Sequence, residues 1–448
     1  MKVSASGGTA SPLADVDQSR GEGGHVMPWF LPDGRHFLYL RTSRVAENTG
    51  LYVGSLDAKP AEQSLKPLMQ TRYASIYMPS PDPDSGHLLF VRNGTLLAQP
   101  FDARQLKLSG EPVALAQGIG TFLNVGFFSA SANGVLAYRV SSAGSYQLTW
   151  YDQTGKYLGT AGEPADLFIT VGLSPDGMHA AVSNTSGVGQ VQFAVVWLLD
   201  FMRGVSERFT FGSGAAVAPV WSPDGSRVIF ASDPTGNYDL YQKAASGGTD
   251  AQLVLKSPEN KFPDSWSRDG RFLLYTAGDP KTKDDLWVLP LGEEKRPFPY
   301  LRTEFNESNA QFSPDGHWVA YVSDESGRFE IYVRPFSADS NAAAPGAGGK
   351  WLISNGGGTD PHWRGDGREL YYTAPNADLM AVEVSPSSTF QAGVPKVLFQ
   401  GPEIISGSEY SQWGVSADGK KFLFAAPAAQ FAQAPFNVVL NWQAALKK

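Results

Sequence analysis

The chain has 448 residues, a formal net charge of −8 and no cysteine. The acidic balance argues against a nucleic-acid-binding protein, which needs a basic face, and the lack of cysteine excludes disulfides and thiolate metal sites. The longest apolar run, residues 193–199, is too short to cross a bilayer, so we expect no membrane insertion by this chain. With 48 glycines, 31 prolines and 12% aromatic residues, the composition is typical of a turn-rich all-β protein.

One phrase recurs along the whole chain. It reads V-W-S-P-D-G-S-R-V-I-F around Trp221 and Q-F-S-P-D-G-H-W-V-A-Y around Phe312. Successive turn glycines are 43–52 residues apart, which is room for about four short strands and their turns, the content of one propeller blade. The nine turn glycines are Gly34, Gly86, Gly134, Gly177, Gly225, Gly270, Gly316, Gly367 and Gly419.

Each copy of the phrase predicts a β-hairpin. In the copy at Gly225, Pro223 and Asp224 favour a tight turn, the glycine accepts a positive φ, and an apolar strand follows. Five copies carry a large aromatic residue four positions before the turn glycine. We expect these side chains to pack between neighbouring blades, with an aromatic ligand cage as the alternative. They are Phe30, Trp221, Trp266, Phe312 and Trp363.

The repeat predicts an all-β chain in which residues 1–448 form a single closed beta-propeller of four-stranded antiparallel blades. Nine turn motifs favour nine blades, eight is the alternative, and two smaller rings are the less favoured arrangement. The last copy supplies three strands, so we expect an N-terminal strand, residues 11–15 or 2–6, to pair with the C-terminal blade and close the ring. The first residues resemble the third strand and turn of a blade, so the chain is expected to begin inside a repeat.

The repeated W-S-P-D-G phrase resembles the TolB-like, WD-like propeller repeats of the periplasmic translocation protein TolB, and it is similar to the propellers of prolyl-oligopeptidase-type peptidases. Longer phrases resemble the C-terminal propeller of bacterial membrane-anchored serine/threonine protein kinases: P-W-F-L-P-D-G-R-H-F-L-Y at 28–39, K-F-P-D at 261–264, T-E-F-N-E at 303–307 and V-V-L-N-W at 438–442. This resemblance implies an extracytoplasmic or periplasmic location, which the sequence itself does not indicate. The kinase motifs themselves are absent from the sequence.

The loops that join each outer strand to the next inner strand ring one mouth of a propeller channel. Here they are rich in acids and poor in lysine and arginine, which predicts a rim able to hold a cation, a basic peptide or a sugar. The alternative is that solvent-facing turns are simply polar. The candidate ligand-binding residues are Glu22, His25, Asp264, Glu304, Asn306, Glu307, Asp360, His362 and Glu409.

The sequence contains no H-E-x-x-H, G-x-S-x-G or P-loop motif. We therefore expect a monomeric, non-catalytic binding propeller, the sensor or scaffold part of a larger signalling protein, with no cofactor and no metal. Its partner would be a protein, a peptide or a small polar ligand at the channel mouth. One alternative is a hydrolase or lyase that uses His25, His362 and the acidic rim, with or without a divalent metal. Another is a propeller that gates a peptidase.

Overall fold

The structure is a computed structural model that describes residues 1–3, 5–43, 45–80, 85–122, 124–140, 146–165, 168–185, 194–212, 214–234, 236–292, 296–337, 349–385, 389–402, 411–428 and 436–447. Within these ranges it is almost entirely β-strand, with short 3-10 helices at Gln18–Arg20, Ala46–Asn48, Pro60–Glu62 and Trp442–Lys447. No helix in the same ranges is long and apolar enough to cross a membrane. The chain divides into two compact units: unit 1 is Met1–Gly144 with Ala429–Lys448, and unit 2 is Ser145–Ala428.

The strands are numbered in chain order. The first twelve are β1 (Glu22–Phe30), β2 (His36–Ser43), β3 (Gly50–Ser55), β4 (Ile76–Pro79), β5 (Ser85–Arg92), β6 (Thr95–Asp102), β7 (Lys107–Leu108), β8 (Val113–Gln117), β9 (Thr121–Phe122), β10 (Val125–Gly126), β11 (Phe128–Ala130) and β12 (Val135–Arg139). The next thirteen are β13 (Tyr146–Asp152), β14 (Tyr157–Ala165), β15 (Phe168–Leu173), β16 (His179–Asn184), β17 (Val195–Asp200), β18 (Val205–Arg208), β19 (Ala216–Trp221), β20 (Arg227–Ser232), β21 (Asp239–Ala244), β22 (Gln252–Leu255), β23 (Lys261–Trp266), β24 (Phe272–Asp279) and β25 (Lys283–Pro290). The last thirteen are β26 (Phe298–Leu301), β27 (Glu307–Phe312), β28 (Trp318–Ser323), β29 (Glu330–Pro335), β30 (Trp351–Leu352), β31 (Thr359–Trp363), β32 (Glu369–Thr373), β33 (Asp378–Ser385), β34 (Gln391–Ala392), β35 (Lys396–Gln400), β36 (Trp413–Val415), β37 (Lys421–Pro427) and β38 (Phe436–Leu440).

Unit 1 contains three larger antiparallel sheets and a small one. Their strand orders are β1-β2-β3, then β4-β5-β6 with both β7 and β8 on β6, the two-stranded β9-β10, and β11-β12-β38. Leu38 of the first sheet packs with Leu88 and Phe90 of the second. Leu89 of the second packs with Leu136 of the last, and Trp442 completes that core. Three of the nine sequence repeats therefore lie in unit 1.

Unit 2 contains the other six repeats as six sheets. One sheet joins strands from both ends of the unit in the order β14-β13-β37-β36. Each of the other five is built from consecutive strands: β15 to β18, β19 to β22, β23 to β26, β27 to β30, and β31 to β34 with β35 on β33. First strands of successive sheets pack together: β15 with β19, β19 with β23, β23 with β27, and β27 with β31. Strand β36 packs on β15, and the Gly365 N–H donates to the Ala417 carbonyl at 2.9 Å, which links the last sheet to the mixed one. The prediction of an all-β chain built from four-stranded antiparallel sheets is confirmed.

The repeated aromatic position packs between sheets in unit 2. Trp221 lies in one core with Val196 and Phe209 of the preceding sheet, and its Nε1–H donates to the Gly172 carbonyl at 3.1 Å. Trp363 makes the same kind of bond to the Gln311 carbonyl at 3.2 Å. The packing interpretation of these aromatics holds for unit 2, because a flat ring fills the wedge between two twisted sheets.

In five of the nine copies the turn follows from the residues Ser-x-Asp-Gly. In the copy at Gly225, which has a φ of 70°, Ser222 Oγ donates to Asp224 Oδ1 at 2.5 Å. The same carboxylate oxygen accepts the Ser226 N–H at 3.0 Å. A side-chain acceptor closes the turn at each copy of this type, so the hairpin is encoded locally.

The predicted single ring of nine blades is not confirmed, and its predicted closure differs from the observed pairing. Strand β38 pairs with β12, with Val438 opposite Ala137. The N-terminal residues pair with themselves instead, through a bridge between Lys2 and Ser11. The reason is local, because Gly7 and Gly8 have φ values of 89° and 121° and turn the chain back on itself.

Candidate ligand site on the first strands of unit 2

The first strand of most sheets in unit 2 is interrupted by a bulge near its middle. The pairing register shifts between Val217 and Val220 in β19, between Ser308 and Gln311 in β27, and between Thr359 and His362 in β31. A bulge turns a side chain away from the regular alternation of the strand. Three residues on the bulges have positive φ without being glycine: Ala218 (52°), Asn309 (50°) and Asp360 (57°).

Asp360 and His362 form a polar cluster on β31 with a residue just before β36. His362 Nε2 lies 3.1 Å from Asp360 Oδ1 and 3.2 Å from Ser411 Oγ. The imidazole also packs edge-on against Trp413, with 4.3 Å between ring centroids. Because one ring nitrogen faces both polar partners, His362 is held in place by Asp360 and does not activate Ser411 in the manner of a catalytic triad, which uses both ring nitrogens.

The bulges leave two polar atoms buried without a hydrogen-bond partner among the residues that the structure describes. They are Asp360 Oδ2, an acceptor, and Asn309 Nδ2, a donor. Asp360 is only 3% exposed. The two residues occupy equivalent repeat positions, three before Trp363 and three before Phe312, on strands that pack together. Buried polar atoms of this kind are costly, and strained backbone that carries them is found where ligands bind.

Asp264 lies on β23, one sheet earlier. Its Oδ2 accepts a hydrogen bond from Thr276 Oγ1 at 2.8 Å, and its carboxyl also bonds the Ala310 N–H of β27. Burial raises the pKa of Asp264 to about 8, against the lowering effect of these two donors, and the nearby Asp284 adds to the rise. Asp264 is therefore protonated over most of the neutral range and offers a hydroxyl donor as well as an acceptor.

A second group of carboxyls lies where β25 and β27 begin. Asp285 and Glu307 are 1% and 0% exposed, and burial raises the pKa of both, that of Glu307 to about 7. Each is tied by a threonine, Thr282 to Asp285 Oδ2 at 2.7 Å and Thr303 to Glu307 Oε1. Each also keeps one oxygen, Asp285 Oδ1 and Glu307 Oε2, without a partner within the described ranges. The sequence analysis missed Asp285, although its position at the start of a third strand places it at the same end of the sheets as Glu307.

Two of the three remaining candidates of unit 2, Glu304 and Asn306, lie in the loop before β27. Glu304 is exposed to solvent. Asn306 is bound to the next loop, because Asp324 accepts its backbone N–H at 2.9 Å and its Nδ2–H at 2.6 Å. Glu409 lies outside the described residues. Glu304 is therefore a solvent-exposed acid of the predicted rim, whereas Asn306 and Glu307 form hydrogen bonds that hold the loop in place.

Glu22 and His25 belong to unit 1, where they form a closed ion-pair network. Arg41 Nη1 donates to Glu22 Oε1 at 2.8 Å, and Arg41 Nη2 donates to the Tyr39 hydroxyl at 2.7 Å. His25 Nε2 is 3.1 Å from Glu22 Oε2, and the Asp17 N–H donates to the same oxygen at 3.0 Å. Burial alone would raise the pKa of Glu22, but the Asp17 N–H, His25 and Arg41 together lower it. Burial lowers the pKa of His25, so the ring is neutral at pH 7.

Within the described ranges, no three His, Asp or Glu side chains are arranged so that they could hold a metal ion. An observation that would favour the hydrolase or lyase alternative is His25, His362 and a carboxylate within ligand distance of one metal ion. In the structure His25 faces Glu22 and His362 faces Asp360, each inside its own unit.

No family model matches the chain. It is 32% identical to the uncharacterized peptidase YuxL of Bacillus subtilis over 118 residues, which is 25% of this chain and 18% of the peptidase. It is 26% identical to the uncharacterized protein Atu1656 of Agrobacterium fabrum over 160 residues, 34% of this chain and 53% of that protein. The chain therefore spans about a fifth and about half of these two relatives. A solved TolB-type protein of Agrobacterium tumefaciens aligns with 63% of this chain and 97% of its own, at 17% identity and a TM-score of 0.47.

Proposed function

We propose that unit 2 is a closed six-bladed propeller that binds a peptide segment with a basic side chain and does no chemistry on it. The blade number is supported by six sheets whose first strands pack in succession, and closure is supported by the sheet that joins β13 and β14 to β36 and β37. Pairing both ends of a unit in one sheet removes the open edges that an arc of blades would expose. The wider role, the sensor or scaffold part of a signalling protein outside the cytoplasm, rests on the resemblance of the repeats to kinase-linked and TolB-like propellers.

The observation that carries the binding role is the unpaired Asp360 Oδ2 on β31, together with the unpaired Asn309 Nδ2 on β27, the strand that packs against β31. A buried acceptor and a buried donor on adjacent strands match a ligand that supplies one donor and one acceptor, as a peptide amide does. The exposed Glu304, in the loop before β27, favours a positive charge on the same ligand.

The experiment measures the thermal stability and the binding heat of the full chain with a short arginine-containing peptide, with its acidic counterpart as a negative control. We expect the basic peptide to raise the melting temperature, and the shift to shrink at high salt because exposed charges are screened. The substitution Asp360→Asn changes one acceptor oxygen to a donor and should raise the dissociation constant at least tenfold. A loss of this size corresponds to the free energy of roughly one buried hydrogen bond to a charged group. The matched control Asp250→Asn changes an exposed acid of the same unit and should leave binding unchanged.

Two results would contradict the proposal. Binding that survives Asp360→Asn would move the site away from β31. If the chain turns over a substrate and His362→Ala abolishes this turnover, the enzyme alternative is favoured. A histidine that Asp360 only holds in place has no chemical step to perform.

A further inference from the structure

Strand β38 is an exposed apolar edge in unit 1. Phe436 is 71% exposed, Val438 60% and Leu440 73%. These three side chains share one face of the strand, because alternate residues of a strand point to the same side. The opposite face carries Asn437 and Val439, on the side of Leu136, which belongs to the core with Trp442.

The sheet that contains β38 has three strands within the described residues, in the order β11-β12-β38, whereas the full sheets of unit 2 have four or five. One backbone edge of β38 pairs with β12. The other edge of β38 faces the place where the four-stranded sheets have their fourth strand. Main-chain hydrogen bonds along this edge can therefore add a further strand.

Several outer strands elsewhere in the chain carry features that discourage such pairing. Strand β14 has Glu163 and Pro164, β18 has Glu207 and Arg208, and β26 has Pro299. Charges and proline on an edge oppose the addition of another strand. Strand β38 reads F-N-V-V-L and has neither a charge nor a proline.

The sequence of β38 is compatible with pairing to itself. In an antiparallel pair of two β38 strands centred on Val438, Phe436 lies opposite Leu440 and Asn437 lies opposite Val439. The three exposed apolar residues of each strand then fall on one face of the joined sheet, and no like charges meet although the chain carries a net charge of −8.

We propose that β38 is a homodimerisation strand, which pairs antiparallel with β38 of a second copy of this chain about a two-fold axis at Val438. A second copy is the proposed partner because β38 is uncharged and its alternation is symmetric about Val438, so that pairing with itself places apolar residues opposite apolar residues on one face. The dimer replaces the monomer expected from the sequence, and it is independent of the peptide site in unit 2.

The experiment is sedimentation velocity of the full chain over a wide concentration range. The wild type should pass from monomer to dimer as the concentration rises. Val438→Lys and Val438→Glu each place like charges opposite each other at the axis, so each variant alone should raise the dimer dissociation constant by roughly tenfold or more. An equimolar mixture of the two should recover the dimer, because Lys then lies opposite Glu. The matched control Val394→Lys alters a valine that is 78% exposed in unit 2 and should dimerise like the wild type.

The Val438 side chain is largely exposed, so both variants should melt at the temperature of the monomeric wild type, which separates lost pairing from lost folding. A wild type that stays monomeric at every concentration overturns the proposal and leaves the edge to a strand of another protein. A dimer that survives both single variants, or a mixture that fails to recover it, also overturns the pairing at Val438.

Discussion

The same repeat position has opposite surroundings in the two units. Trp221 of unit 2 is 8% exposed and bonded to the preceding sheet, while Phe30 of unit 1, four residues before its own turn glycine, is 54% exposed. Trp266 and Phe312 follow Trp221, with 8% and 7% exposure. Phe30 lies on the first sheet of its unit, β1-β2-β3, and pairs in register with Phe37.

The difference teaches that the repeat encodes the hairpin but not the burial of its aromatic residue. The Pro-Asp-Gly turn forms from contacts within a few residues. The ring becomes buried only where a preceding sheet supplies a wall, as Val196 and Phe209 do for Trp221. Whether a repeat aromatic contributes to packing therefore depends on its place in the succession of sheets. Changes at either end of a unit should show this dependence.

The largest effect is expected from removing the C-terminal strands. A chain ended after Ala428 loses β38 and Trp442, which belong to unit 1, so unit 1 should lose its folding transition while unit 2 keeps its own. A chain ended after Gln412 also loses β36 and β37, which pair with β13, so unit 2 should lose its transition as well. Differential scanning calorimetry of the two shortened chains measures this, and a unit 2 transition that survives the second cut would contradict the proposed closure.

An intermediate effect is expected at the repeat aromatics. Trp221→Ala should lower the free energy of unfolding by about 3–5 kcal/mol, because it empties a wedge between two sheets. Phe30→Ala removes a half-exposed ring and should cost less than about 1.5 kcal/mol. Chemical denaturation of the two variants provides the comparison. Equal losses would mean that Phe30 is covered in solution, and binding lost at full stability in the Trp221 variant would favour the ligand-cage alternative.

A smaller effect is expected from pH. The buried carboxyls of the two units should change the stability of their units with pH in opposite directions. Burial raises the pKa of Asp264 to about 8, so the folded chain keeps a proton that the unfolded chain releases near its ordinary value of 3.8. The stability of unit 2 should therefore fall as pH rises between these values. Hydrogen bonds and Arg41 outweigh burial and lower the pKa of Glu22, so its contribution to unit 1 is present above its ordinary value of 4.5 and is lost as pH falls below it.

The variants Asp264→Asn and Glu22→Gln isolate these two contributions. The stability of unit 2 falls as pH rises in the wild type, and Asp264→Asn should reduce this fall by on the order of 1–3 kcal/mol. The penalty of Glu22→Gln should shrink as the pH falls through the acidic range. The measurement is the melting temperature of each transition against pH, and differences of the same sign in both units would contradict the assignment.

Part of the candidate site could be predicted from the sequence. The polar residues near the start of the first strands include Asp360 and His362, which contact each other, and Asp264 and Glu307, whose pKa values burial raises. Their role in ligand binding stays a prediction. Asn309 was missed because its significance comes from a positive φ at a bulge, and no residue type signals that without a structure. Glu22 is the first residue of a first strand, as Glu307 is, yet Arg41, nineteen residues later, neutralises it across the β1-β2 pair.

The sequence by itself determined the repeating hairpins, the all-β character and the four-stranded sheet, because these depend on turn residues and on the alternation of apolar side chains within one copy. Only the tertiary structure decided that three of the nine copies lie in one unit and six in the other, which strands complete a sheet, and which described acids keep an oxygen without a hydrogen-bond partner. These outcomes depend on pairing between segments far apart in the chain, such as β13 with β37 and β12 with β38. The free energy of such pairing comes from burying whole sheet faces together, and no single repeat carries that information.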